Sequence, residues 1–389
     1  GRQCAQTRSS GCRSSLCGAV GSEPEPAIAW VWLRLMGTAA DSSPGYFVGS
    51  TEDEHMANSP IKFAMWAGFR GTAPFQAEQV TLSDSSVVHM HPTPPTFIGK
   101  PWSEWKGETV VRELTSSGFY LWMEMPTKKP EILDNENRDL GHKLDHFMQA
   151  LWVCGFPGAN KAMSGTGAIY KGKSDLRKWG EQGYRRVFVV HPDLPWHSGE
   201  WRTGAPLVMD ALRDIYGLGE DGLYQGDTHH RLRRGLRALY RGIGDQEGYD
   251  RHHSFTRALD GVLKTRSGKG KSDFQARAHY FLRTQTEQAP VLLSEVYDVR
   301  SSIEHHNDWT EKLARHGDDA PKVAQRRLQQ VECLALFAYY RILSAPDLLA
   351  QFVDDASVDA FWAKPHQEIQ ALIGQPLELD RLIERPLIR

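Results

Sequence analysis

The sequence predicts an α+β protein, with a mixed, β-containing N-terminal domain followed by an all-α C-terminal bundle. Residues 36–205 carry short β-branched and aromatic runs broken by Gly, Pro and Ser, which read as strands and turns. From about residue 206 the apolar residues recur at helical spacing instead. The chain has 389 residues, 40% hydrophobic and 24% charged, an ordinary globular composition long enough for two domains and a sizeable core.

Residues 1–35 stand apart. They open on Gly, hold Cys4, Cys12 and Cys17 among Arg and Ser, and reach no methionine before Met36. They read as a disordered leader or upstream translation ahead of a start at Met36 or Met56. A cleaved secretory peptide fits less well, because Arg34 breaks the apolar stretch Ala27 to Met36 and no convincing cleavage site follows.

The expected elements follow in order. Gly45–Gly49, Val87–Met90, Val110–Leu114 and Phe119–Met125 read as strands, and Arg186–His191 is the clearest buried strand. Leu144, Phe147, Met148, Leu151 and Trp152 make one helical stripe, ended by Pro157-Gly158. Thr228–Arg241 is an arginine-rich helix with Leu232, Leu236 and Leu239 toward the core. Phe255, Ala258, Leu259, Val262 and Leu263 mark a second helix, and Ser267–Asp273 a flexible basic loop. Phe274–Arg283 and Val291–Glu304 give the third and fourth, with Pro290 suited to a first turn. A long fifth helix runs through Val331, Leu334, Ala335, Ala338 and Ile342 to Ser344-Ala345-Pro346, and short helical pieces follow at Val358–Trp362 and Ile369–Ile373.

Net charge is −2, so a nucleic-acid site would have to be a local patch. No apolar run approaches the ~20 residues that span a bilayer. Beyond the leader only Cys154 and Cys333 remain, too few for a disulfide framework or a zinc site. Both lie in apolar surroundings, as buried reduced thiols do, and a cytoplasmic protein is expected. His89 and His91 share a strand face, but no cysteine or carboxylate nearby completes a metal site. His229-His230 and His252-His253 are equally unsupported as ligands, and Gly165-x-Gly167 lacks a Walker lysine. No cofactor or metal is expected.

The most informative stretch is Val296 to His306, V-Y-D-V-R-S-S-I-E-H-H. It sets Arg300 ahead of His305 at the end of an apolar helical run. A histidine can move a proton to or from a ribose hydroxyl or leaving oxygen, and an arginine can hold the charge growing on a phosphate. The bare R-x4-H pattern also admits a structural reading, with Arg300 on Glu304 and His305 at the helix dipole. Residues five apart sit roughly 140° apart around a helix. The pair therefore needs either fraying near Glu304, which Asn307 and Asp308 favour, or a second protomer completing a groove. Arg233, Arg234, Arg237 and Arg241 share one helix face and suit phosphate contacts, or form a solvated face. Lys264, Arg266, Lys269 and Lys271 read as a solubilising loop with phosphate contact as the other reading.

The order of an arginine-rich helix, S-F-T-R-A-L-D-G-V-L, a polar loop, F-Q-A-R-A-H-Y-F-L and V-Y-D-V-R-S-S-I-E-H resembles the Apea-like branch of the HEPN superfamily. The resemblance covers roughly residues 225–362. Asp260 stands at the family's acidic position, Tyr297 and Asp298 precede the arginine, and His306 replaces the glycine common after the histidine. The resemblance implies a helical bundle that dimerises. It also implies metal-independent cleavage of RNA, as in toxins and antiphage-defence effectors. Arg300 and His305 become the catalytic candidates, with His306, Glu304, Asp260 and Tyr297 as accessories. The β-containing domain would sense a phage or cellular trigger, or select substrate. The rival readings are a non-catalytic RNA-binding or regulatory module and a dimerisation domain.

Overall fold

The computed structural model describes residues 61–69, 78–82, 86–94, 103, 107–115, 119–127, 133–155, 161–170, 173–174, 184–185, 209–220, 223, 226–245, 247–282 and 288–379. These residues are mostly helical, with an antiparallel sheet N-terminal to the bundle, in keeping with α+β. The expected strands Gly45–Gly49 and Arg186–His191 lie outside them, as do residues 1–35.

The strands are β1 (Ile61–Phe69), β2 (Glu78–Thr81), β3 (Val87–His91), β4 (Phe119–Thr127), β5 (Lys161–Tyr170), β6 (Lys173–Ser174) and β7 (Tyr184–Arg185), in the order β2-β3-β4-β1-β5-β6 with β7 on β5. Alternation fixes the faces. Val80, Val88, Met90, Leu121 and Met123 are buried on one side. On the other, His89 stacks on its cross-strand partner Trp122 at 4.8 Å, and His91 pairs through Nδ1 with Thr93 Oγ1 at 2.6 Å. The two histidines thus have local partners of ordinary kind.

Val110–Leu114, expected as a strand, is not one. It belongs to α1 (Glu108–Leu114), a helix rather than a strand. The two valines suggest β structure, but Glu108 in the first turn and Arg112 in the last complement the helix dipole and stand at i,i+4 spacing. The expected stripe at 144–152 lies on α2 (Leu133–Val153), where Leu144, Phe147, Met148 and Leu151 are buried. This helix packs on β1 and β4 and also touches the bundle, so one continuous cluster of buried side chains joins sheet and helices.

The bundle comprises α3 (Met209–Glu220), α4 (His230–Gly244), α5 (Gly248–Leu263), α6 (Gly270–Ala278), α7 (Gln288–Glu304), α8 (Ala320–Leu343) and the short α9 (Pro346–Leu349), α10 (Asp355–Trp362) and α11 (His366–Ile373). Residues 330–339 of α8 are buried on every side, so this is the central helix. Around it α4 and α5 form an antiparallel hairpin, with Leu232, Leu236 and Leu239 fully buried as their spacing requires. Gly235 and Gly261 open a notch for Tyr339, whose hydroxyl donates to the Ala258 carbonyl at 2.8 Å. A buried ion pair, Arg251 Nη2 to Glu332 Oε2 at 2.9 Å, ties α5 to α8.

Part of the loop expected at Ser267–Asp273 is helical, because α6 starts at Gly270. Asp273 reaches back to the Arg266 guanidinium at 2.6 and 2.8 Å and accepts from its backbone N–H. Those hydrogen bonds hold the Asp273 carboxyl well below the usual carboxylate range. Among the described residues, no single helix is long and apolar enough to cross a membrane.

Candidate functional site

The site is built on α5 and α7. Val296 and Val299 turn one side of α7 into the core, with Ile303 beside them. Tyr297, Arg300 and Glu304 fall on another side by i+3/i+4 spacing. There they meet Asp260 of α5. Arg300 Nη1 lies 2.7 Å from Asp260 Oδ2, and its Nε and Nη2 lie 3.1 and 3.0 Å from Glu304 Oε1. Its guanidinium carbon stands 5.5 Å from the Tyr297 ring centre, within cation–π range. The accessory candidates Asp260, Glu304 and Tyr297 therefore converge on one arginine and fix its position. Burial pushes the Asp260 carboxyl up more strongly than Arg300 pulls it down.

The helix stops at Glu304 through a Schellman turn. His306 has φ 56° and donates its N–H to Ile303 O at 3.0 Å, while Asn307 N–H reaches Ser302 O at 2.9 Å. That pair of bonds satisfies carbonyls which the helix end leaves open. The left-handed residue of such a turn is usually glycine, and here it is His306. Asp308 then caps the following 3-10 segment Trp309–Asp319, accepting from Thr310 N–H at 2.8 Å.

An open cleft of about 730 Å³ lies between α5 and this turn. Tyr249, Asp250, His253 and Arg257 line it from α5, Arg300, Ile303 and Glu304 from α7, and His306, Asn307 and Asp308 from the turn. His305 is exposed at the helix end and is not among the lining residues. The structure thus brings Arg300, Glu304 and His306 to one cleft.

His253 and Arg257 were not sequence candidates. His253 Nε2 lies 3.5 Å from Glu304 Oε1, and burial holds its imidazole below the ordinary histidine value despite that carboxylate. The available signal was spacing: His253, Arg257 and Asp260 stand at i, i+4 and i+7 on α5. The adjacent His252 faces the other way, fully buried with an edge toward the Trp309 ring at 6.1 Å. Neither of its ring nitrogens has a hydrogen-bond partner among the described residues.

The four arginines proposed as a phosphate face divide. Arg233 is half-buried and donates to the Gly226 carbonyl. Arg234, Arg237 and Arg241 are exposed and carry no ion pair among the described residues. Of the basic loop, Lys264 pairs with Asp359 at 2.7 Å, Arg266 with Asp273, and Lys271 with Asp298 at 2.6 Å. Cys154 and Cys333 are buried free thiols.

A carboxylate-braced arginine beside two imidazoles can hold an anion and move protons at it. No family model, curated protein or solved structure matches the chain.

Proposed function

We propose that the cleft is the site of a metal-independent endoribonuclease of HEPN type. The single observation that carries this reading is that Arg300, the conformationally unusual His306 and a second imidazole line one open cleft. Arg300 would stabilise charge on the phosphate, and a histidine of the turn would exchange protons with the reacting oxygens. Of the two adjacent histidines, His306 fits this role by its place in the cleft wall, whereas His305 carries it by motif spacing alone. Exposed Arg234, Arg237 and Arg241 would hold flanking phosphates. The active unit in this reading is a homodimer, and the sheet-containing region senses a trigger or selects RNA. A role as toxin or antiphage effector follows from the resemblance alone.

The test is incubation of the protein and its Arg300→Ala, His305→Ala and His306→Ala variants with total RNA in EDTA. Cleavage by wild type and His305→Ala, leaving 2′,3′-cyclic phosphate ends, with loss in the other two, is the expected result. Retained cleavage in Arg300→Ala sinks the site.

One observation favours a second reading. Arg300 already pairs with two carboxylates, which is what a structural arginine does. A non-catalytic RNA-binding or regulatory module would show salt-dependent RNA binding without any product.

A further inference from the structure

We propose that His253 is the second proton-transfer residue of the cleft, so that one protomer supplies both an acid and a base for cleaving a ribose phosphate. The inference rests on the ribonuclease reading above and names a residue outside the motif that suggested it.

His253 projects from α5 and His306 from the turn after α7, and both line the cleft that holds Arg300. Glu304 Oε1 faces His253 Nε2 at 3.5 Å while accepting from Arg300 at 3.0 and 3.1 Å. With the Glu304 carboxylate on the Nε2 side, the Nε2–H form of the imidazole is favoured and Nδ1 would be the base, as in a carboxylate–histidine pair. Arg300 thereby reaches His253 through Glu304. The charged groups around His253 are Glu304 and Arg300 from α7, His306 and Asp308 from the turn, and Asp250 and Arg257 on its own helix. Partial burial favours the neutral imidazole, as a base requires. His306 is exposed and can collect a proton from water.

The step balances. His253 takes the proton of the ribose 2′-hydroxyl. O2′ attacks phosphorus, forming the O2′–P bond. The P–O5′ bond breaks, its electron pair leaves on O5′, and O5′ takes a proton from His306. The products are a 2′,3′-cyclic phosphate and a 5′-hydroxyl. Arg257 and Arg300, which line the same cleft, would face the phosphoryl oxygens. The substrate class is RNA flexible enough to align O2′, phosphorus and O5′, and DNA is excluded because it lacks the attacking hydroxyl.

The experiment compares wild type, His253→Ala, His253→Gln and His306→Ala on a short RNA oligonucleotide that wild type cleaves within total RNA and on the same oligonucleotide with a 5′-bridging phosphorothiolate at the cleaved linkage. The sulfur leaves without a proton. Loss of the base should lower kcat at least about 100-fold on both substrates with KM little changed, and added imidazole should restore turnover. Loss of the acid should be largely repaired by the sulfur substrate. If wild type cleaves and both His253 variants match it in rate and pH profile, the inference falls and the ribonuclease reading stands. If wild type cleaves nothing within total RNA, the ribonuclease reading falls and takes the inference with it.

Discussion

Mild acid should destabilise this fold through His252, a residue the cleft chemistry does not use. The imidazole is fully buried, neither nitrogen has a hydrogen-bond partner among the described residues, and burial together with the nearby His253 and Arg300 lowers its pKa to about 3. A histidine held neutral in the folded state contributes full stability above its unfolded value of about 6.5 and loses it as pH falls below that value. At pH 5 the unfolded chain holds a proton that the folded one refuses, and the difference is about 2 kcal/mol. His229 and His253 are also lowered, so wild type alone does not isolate the effect. His252→Leu removes the ionisable group without breaking a hydrogen bond. Denaturant midpoints at about pH 7.5 and about pH 5 should fall further in wild type than in the variant, the gap corresponding to about 2 kcal/mol. Equal losses in the two proteins would refute the reasoning, because a solvated or protonated His252 predicts no difference.

Packing and helix-end geometry give three further expectations. A Cβ on Gly235 would lie 1.7 Å from Tyr339 Oη and 2.9 Å from the Ala258 carbonyl oxygen; Gly235→Ala should cost about 1–3 kcal/mol, with Tyr339→Phe recovering part of it in a thermal melt. Glu332→Ala strands the buried Arg251 guanidinium and should cost about 3–5 kcal/mol, whereas replacing both partners with leucine should cost clearly less by chemical denaturation. His306→Gly relieves a left-handed residue and should raise stability by about 1 kcal/mol, while abolishing RNA cleavage if the proposed site is correct; a variant that is both stabler and fully active would remove His306 from the chemistry.

The bundle was more legible than the sheet, for a physical reason. Helical periodicity repeats over many residues, so the stripe at 255–263 and the leucines at 232, 236 and 239 declared their buried face. Val110–Leu114 is too short for a period to be decisive, and its two valines pointed to β structure against the charges that favour α1. Strand β5 reads K-A-M-S-G-T-G-A-I-Y, where glycines and small polar residues obscure the alternation. Its pairing with β1 is a long-range fact with no local mark. Helix α3 holds Gly217 and Gly219, weak helix formers, and is held by the buried Leu212, Ile215 and Tyr216.

The site divides the same way. Glu304 was visible beside Arg300 because i,i+4 spacing is local. Asp260 was visible only through the resemblance, since forty residues separate it from Arg300, and the 2.7 Å ion pair between them exists because α5 packs on α7. The motif spacing points to His305, whereas it is His306 that lines the cleft. Residues five or six positions after Arg300 both leave its face of a straight helix. What separates them is the sign of one φ angle at the helix end. A left-handed histidine is a strained choice where glycine would serve. Among the described residues, two helix C-termini carry a non-glycine residue at positive φ: Lys264 after α5, whose ammonium pairs with Asp359, and His306 after α7, whose side chain lines the cleft. In each case the residue whose backbone is strained has a side chain with a destination. At His306 that destination is solvent-open space beside an arginine already braced on two carboxylates. The proposal that His306 acts on a bound phosphate rests on that placement, and the His306→Gly variant tests it.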